Sequence, residues 1–175
     1  ELHRDIVITV DDTKDMYTQL ERKLPSQSSK WDLDKWKERH DWCVEQINLK
    51  KYSKDKFEWM NNIQKEYTSS CGNYTATLLD NAYAIRNEGD KMKHCVGSYS
   101  DRVFKGNYLV WSLCGKDGKS SSTLGATIIK DNNEKKAVYN QHYKQCNSPV
   151  RCQNEEAFRE ELLKKINIQF KKEKL

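Results

Sequence analysis

The chain has 175 residues, of which 36% are hydrophobic and 33% charged, and its formal net charge at pH 7 is +5. This length fits one domain with a buried core and a heavily charged surface. Six cysteines without a CxxC pair are too few for a disulfide scaffold, and no apolar run approaches the roughly 20 residues of a membrane span. We therefore expect a cytoplasmic protein with reduced cysteines. Its mild basicity is compatible with a DNA or RNA partner.

The first part of the chain is predicted to be mainly helical. Residues 6–10 have the β-branched composition of a short strand, and a capped helix is expected over about 14–23. Apolar residues at three- and four-residue spacing predict a helix over about 33–49 and another over 54–67.

The pattern changes after residue 80. Residues 83–85 are predicted to be a short strand, and a helix is expected over about 92–104. Turn-rich connections separate three strand-like runs, which predicts an antiparallel meander with strands over 108–114, 123–130 and 136–143. A closing helix over about 155–172 completes an α+β fold, in which a helical N-terminal half precedes a small sheet packed with the two later helices.

The most unusual stretch is the run from Met92 to Tyr99, which reads MKHCVGSY. His94 and Cys95 are the side-chain types best suited to acid/base or nucleophilic chemistry near neutral pH. On a helix, Cys95 and Tyr99 follow the apolar stripe and His94 does not, which makes His94 the stronger candidate. Gly97 costs a helix interior about 1 kcal/mol and indicates a boundary or a close backbone contact. His94, Cys95 and Tyr99 are the candidate catalytic residues.

Polar residues interrupt the apolar pattern of the predicted sheet. Ser112 and Gln141 fall at otherwise apolar strand positions, and Thr123 opens the strand between them. Such a cluster either binds a polar ligand or forms a hydrogen-bond network that fixes strand register. His40, next to Asp41, and Asn147 are the other binding candidates, although the place of His40 on the apolar face of a predicted helix is typical of a core histidine.

Metal and nucleotide signatures are missing from the sequence. His142, Cys146 and Cys152 have spacings that match no standard zinc site, so we expect no metal and no cofactor. There is no Walker loop, GxGxxG, HExxH or GxSxG sequence.

These residues resemble the PcfJ-like domain family. The resemblance covers roughly residues 31–150 and rests on the MKHCVGSY run, on the His40-Asp41 helix, and on Gly106, Ser112, Thr123-Leu124, Gln141 and Asn147. One departure is the segment after Gln141, where the family typically has a shorter turn of basic residues and glycine, and this leaves the turn near Asn147 in question.

The resemblance implies a single PcfJ-like domain over residues 1–175, with residues 151–175 as its C-terminal helix. It also implies a bacterial setting in conjugation, other mobile genetic elements or phage defence, but supplies no established reaction.

Three functions remain open at this stage. The favoured hypothesis is an accessory module that binds nucleic acid or a nucleoprotein through a basic surface and a polar pocket near His94. The second is a transferase- or hydrolase-type enzyme acting on a nucleotide or nucleic acid, with His94 in its active site. This hypothesis lacks a well-placed catalytic glutamate, since Glu134 falls in a predicted turn. The third is a protein–protein adaptor, so whether the chain is an enzyme stays open.

Overall fold

The computed structural model describes residues 2–92, 99–116, 118, 121–144 and 149–173, with side chains from residue 9 onward. Within it the chain forms two compact units, Glu1–Ser53 and Lys54–Leu175. The first is helical and the second contains the sheet, which confirms the predicted α+β class with its helical N-terminal part.

The Glu1–Ser53 unit consists of two long helices, α1 (Leu2–Gln19) and α2 (Leu33–Lys51), with a 3₁₀ turn at Ser26–Lys30 between them. Helix α2 confirms its prediction, and it begins where the Asp32 carboxylate accepts a hydrogen bond from the Lys35 backbone N–H at 2.9 Å. The core of this unit is formed by Tyr17, Leu20 and Cys43.

The strand predicted over residues 6–10 is wrong, because these residues lie inside α1. Buried side chains of this helix recur at a spacing of four as Thr9, Thr13 and Tyr17, and Leu20 continues the stripe just past the end of the helix. The Thr13 hydroxyl donates to the Thr9 carbonyl oxygen at 2.7 Å, so this polar group is satisfied within the helix. Burial of one helical stripe therefore outweighs the strand preference of a short β-branched run.

Two further local predictions are wrong. Residues 54–67 form no α-helix, but contain a 3₁₀ turn at Glu58–Met60 and end in a strand. The predicted inward residues Phe57, Met60 and Ile63 are buried, and their uniform spacing of three fits this tighter winding. Residues 83–85 lie in helix α3 (Ala82–Met92), which begins where the Asn81 side chain accepts a hydrogen bond from the Ala84 N–H at 2.7 Å.

The Lys54–Leu175 unit is built on a five-stranded antiparallel sheet whose spatial order follows the chain. Its strands are β1 (Glu66–Thr68), β2 (Tyr74–Leu78), β3 (Tyr108–Gly115), β4 (Ser121–Asp131) and β5 (Glu134–Tyr143). The last three confirm the predicted meander, whereas β1 and β2 were not expected. A short helix, α4 (Ser100–Phe104), precedes β3, and the predicted closing helix is α5 (Gln153–Glu173).

Both faces of the sheet are covered. Helix α5 lies on one face, where Glu155 bonds to Ser122 and Asn167 bonds to Ala137. The opposite face carries Tyr108, whose ring packs edge-on against Tyr99 at 5.2 Å between ring centroids. Because side chains alternate between the faces, nearly every residue of the central strand β3 is buried.

Gly125 lets Tyr108 cross the strand beside it. A Cβ atom at Gly125 would lie 2.1 Å from the Tyr108 hydroxyl oxygen, far inside van der Waals contact. That hydroxyl donates to Asn140 Oδ1 at 2.8 Å, beside a β-bulge that follows the Gly125–Gln141 pair. The missing side chain is thus required by a close approach and not by an unusual backbone angle.

Candidate functional site

A half-buried carboxylate organises the polar residues of the sheet. Glu88, on α3, accepts a hydrogen bond from the Thr123 hydroxyl at 2.6 Å, and the Ser112 hydroxyl also bonds to it. Ser112 and Thr123 are directly opposite each other in the β3–β4 register, so both hydroxyls leave the sheet on the same face. Ser112 and Thr123, both predicted from the sequence as binding candidates, therefore bond to the same carboxyl group. We call this group, Glu88 with Ser112 and Thr123, the Glu88 pocket.

The environment of Glu88 shifts the pKa of its carboxyl group upward. Burial raises the pKa of this carboxyl, while the hydrogen bonds from Thr123 and Ser112 and the charge of Lys91 act in the opposite direction. Burial is the largest cause, because a charged group loses water that two hydroxyls replace only in part. A carboxyl in this state can take up or release a proton closer to neutral pH, which is the property required of a general acid or base.

Tyr99 and Gln141 lie on the same side of the sheet. Tyr99 directly precedes α4, and its ring packs against the ring of Tyr108. The guanidinium carbon of Arg102 lies 4.7 Å from the centre of the Tyr99 ring. Gln141 is opposite Gly125 in the β4–β5 register, two residues along β4 from Thr123. The arrangement brings Ser112 and Thr123 into contact with Glu88, and it places Tyr99 and Gln141 on the same face of the sheet.

Three candidates, His94, Cys95 and Asn147, lie outside the described residues. In the chain, His94 and Cys95 fall between α3 and α4, six and seven residues after Glu88. His40 belongs to the other unit, where it is buried and its Nδ1 atom lies 3.3 Å from Asp41 Oδ1.

Glu88 is the residue that sequence reasoning missed. On helix α3, Glu88, Gly89 and Met92 follow Ile85 by three, four and seven residues. That spacing places all four on one stripe of the helix. That spacing was the available signal, but the prediction of a strand over residues 83–85 obscured it. A predicted helix capped by Asn81 would have placed the Glu88 carboxylate among the inward-facing positions.

A second polar network lies on the face covered by α5. His142 Nε2 is 2.9 Å from the Ser122 hydroxyl, which in turn donates to Glu155 Oε2 at 3.1 Å. Arg159 Nη1 is 3.4 Å from His142 Nδ1, so Nδ1 is the acceptor and Nε2 the donor of a neutral imidazole. Burial, with the charges of Arg159 and Lys144, lowers the pKa of His142 to about 4.

The order of contacts in this network argues for a structural role. Ser122 lies between His142 and Glu155, whereas a nucleophilic serine needs the histidine between itself and the acid. Ser122 is also only 1% exposed, so a substrate cannot reach its hydroxyl. The network therefore ties the start of α5 to the sheet.

Metal ligands do not cluster in the part of the chain that the structure describes, where no three His, Cys, Asp or Glu side chains could hold an ion. Among the same residues, no helix is long and apolar enough to span a membrane.

Comparison with known proteins gives one match. The sequence profile of the family described as PcfJ-like protein matches residues 9–159, most of the chain. The chain belongs to the PcfJ-like family. No curated protein and no solved structure was found to match it. The PcfJ-like region includes all three residues of the Glu88 pocket and the buried Ser122–His142–Glu155 network, so both lie within the part of the chain that the family shares.

Proposed function

We propose that this PcfJ-like protein is an accessory module of a bacterial mobile element or defence system that binds nucleic acid, free or in a nucleoprotein. The observation that carries the proposal is the distribution of charge between the two units. Lys54–Leu175 contains 21 Lys and Arg against 15 Asp and Glu, whereas Glu1–Ser53 contains 10 against 11. The positive excess therefore belongs to the unit that holds the sheet.

Because some acidic residues of this unit are withdrawn from the surface, the excess of positive charge at its surface is larger than the count of charged residues suggests. Asp80 and Glu155 are each 5% exposed, and Glu88 is half-buried where α3 meets the sheet. The described lysines of the β4–β5 hairpin and of the last turn of α5 are exposed. Clustered cations bind the phosphate backbone by releasing its condensed counterions, which needs no base-specific contact.

Salt titration tests the proposal. Binding of fluorescein-labelled 20-nucleotide single-stranded DNA and RNA is measured by anisotropy between 25 and 300 mM salt. We expect an affinity that falls steeply with salt, with a slope of about −0.7 in log–log form per phosphate contact. Absence of binding at the lowest salt, where phosphate contacts are strongest, would overturn the proposal.

The Glu88 pocket favours a second function, that of an enzyme acting on a nucleotide or nucleic acid. It supplies the glutamate that the sequence hypothesis lacked, six residues before His94. Glu88 would accept or donate the proton, and His94 would orient or deprotonate the substrate.

Turnover of ribonucleoside triphosphates and of single-stranded DNA and RNA, followed by mass spectrometry, tests the enzyme function. We expect E88Q and H94A each to lower the rate by about 10²-fold or more. The control T127V changes a threonine on the same strand as Thr123, and it is expected to leave the rate unchanged. Wild-type protein without turnover, or full activity in both variants, would exclude this function.

A further inference from the structure

A basic groove lies at the far end of the sheet from the β3–β4 turn. It has a volume of about 640 Å³ and is formed where the β4–β5 hairpin meets the last turns of α5. We call it the hairpin groove and define it by Ile129, Lys135, Lys136, Asn167, Phe170 and Lys171. This volume is in the range of sites that bind small ligands.

The lining combines cations with an apolar floor. Lys135, Lys136 and Lys171 are exposed, Ile129 is 50% exposed, and Phe170 is buried beneath them. Asp131 and Glu134 lie opposite each other at the closed end of the hairpin and are the acidic residues of the lining. Lysines thus outnumber carboxylates beside an exposed apolar surface.

An aromatic ring lies beside one of the lysines of the groove. The Lys135 ammonium, which lines the groove, lies 5.8 Å from the centre of the Trp59 ring. The Trp59 indole is held in place by its N–H, which donates to the Val103 carbonyl at 2.8 Å, and it remains partly exposed. Gly106 lies beside both groups, since a Cβ atom there would be in ordinary van der Waals contact with Trp59 at 3.9 Å and with the Lys130 ammonium at 3.6 Å.

We propose that the hairpin groove is the site where this protein binds single-stranded nucleic acid. Lys135, Lys136 and Lys171 contact phosphates, and two separate apolar groups, the exposed Ile129 side chain and the Trp59 ring beside Lys135, contact unstacked bases. The inference deepens the proposed function and rests on it.

The shape and the chemistry of the groove favour a single strand over a duplex. A duplex exposes its phosphates and buries its base faces, so it could use the lysines but not the apolar surface. Single strands present both, and partly exposed aromatic rings next to cations are typical of the proteins that bind them. The enclosed volume also admits a few nucleotides at most.

A pair of matched triple variants tests the site. K135Q/K136Q/K171Q removes three charges from the groove, and K56Q/K116Q/K144Q removes three exposed charges elsewhere in the same unit. Anisotropy is measured with labelled dT20 and with a 20-base-pair duplex across a salt series. We expect the groove variant to bind dT20 about tenfold or more weakly, with a salt slope lower by about 2, because three contacts at about 0.7 each are lost. The control variant is expected to stay within about twofold of wild type.

The outcomes separate the site from the function. If wild type binds dT20 and both triple variants lose affinity equally, nucleic-acid binding stands and the groove is not the site. If wild type binds the duplex as tightly as dT20, the preference for single strands is wrong. If wild type binds neither probe at low salt, the proposed function fails and the groove fails with it. Circular dichroism of each variant shows whether the fold is retained.

Discussion

At the scale of single residues, Glu88 is the most informative side chain of the structure. A half-buried carboxyl group loses part of its water, and here two hydroxyls from neighbouring strands supply hydrogen bonds in its place. The same hydrogen bonds anchor α3 to the sheet. The stability of Thr123 variants measures that contribution directly.

We expect T123V to destabilise the protein by about 1–3 kcal/mol at pH 7, because the Glu88 carboxylate loses a hydrogen-bond donor in a site with little water. The pKa of Glu88 is already raised, so its ionisation costs stability as pH rises through the folded-state value. Losing the Thr123 donor increases that cost. The difference between T123V and wild type should therefore shrink at pH 4, where the carboxyl is largely neutral. Urea unfolding at both pH values provides the measurement.

T127V is the matched control, since Thr127 lies on the same strand and face and forms no side-chain bond to Glu88. An equal loss of stability in T123V at pH 4 and pH 7 would mean that Thr123 acts by packing alone.

At the scale of elements, α5 is attached to the sheet at both ends. Near its start, Glu155 and Arg159 bond to Ser122 and His142. Near its end, the Asn167 side chain donates to the Ala137 carbonyl at 3.0 Å and accepts from its N–H at 2.7 Å. Asn167 thereby occupies backbone groups of β5, an edge strand of the sheet, where they would otherwise be open to pairing with another chain.

The attachment at the start of α5 predicts a pH dependence of stability. His142 stays neutral in the folded protein down to a pKa of about 4, whereas the unfolded chain takes up the proton near pH 6.5. The unfolded state therefore binds more protons between these values, and stability falls as the pH is lowered from 6.5 to 4. The loss attributable to His142 is on the order of 3 kcal/mol. It is measured from urea unfolding curves between pH 4 and pH 7.5.

H142Q removes the titrating group while keeping a donor and an acceptor, so most of this slope should disappear in that variant. H40Q, which changes a histidine of the other unit, serves as the control and should retain the slope of stability against pH. A slope unchanged in H142Q would show that other groups govern the acid sensitivity.

At the scale of the whole molecule, charge and sheet belong to the same unit. Lys54–Leu175 carries the positive excess, the Glu88 pocket on one face of the sheet, and the hairpin groove at the β4–β5 end. Helix α3 forms the pocket with β3 and β4, whereas α5 and the β4–β5 hairpin form the groove. The proposed nucleic-acid binding and the proposed chemistry at Glu88 can therefore be tested by separate substitutions.

The sequence by itself determined the long elements and the family. Helices α2 and α5 and strands β3 to β5 could be predicted because their periodicity extends over eight or more residues, enough for one face to be recognised. Strand alternation likewise placed Ser112 on one face of its strand and marked Thr123 as its polar neighbour. The MKHCVGSY run supported the PcfJ-like resemblance, which the family match confirms.

Only the tertiary structure decided the short elements and the partner of the polar cluster. Residues 6–10 and 83–85 are too short for a local strand preference to outweigh the helices that contain them, and residues 54–67 place their buried side chains at a uniform spacing of three that an α-helix does not keep. Glu88 is 24 residues from Ser112 and 35 from Thr123, and nothing local couples them. The carboxylate and the two hydroxyls meet because α3 packs on the face of the sheet where β3 and β4 present those hydroxyls.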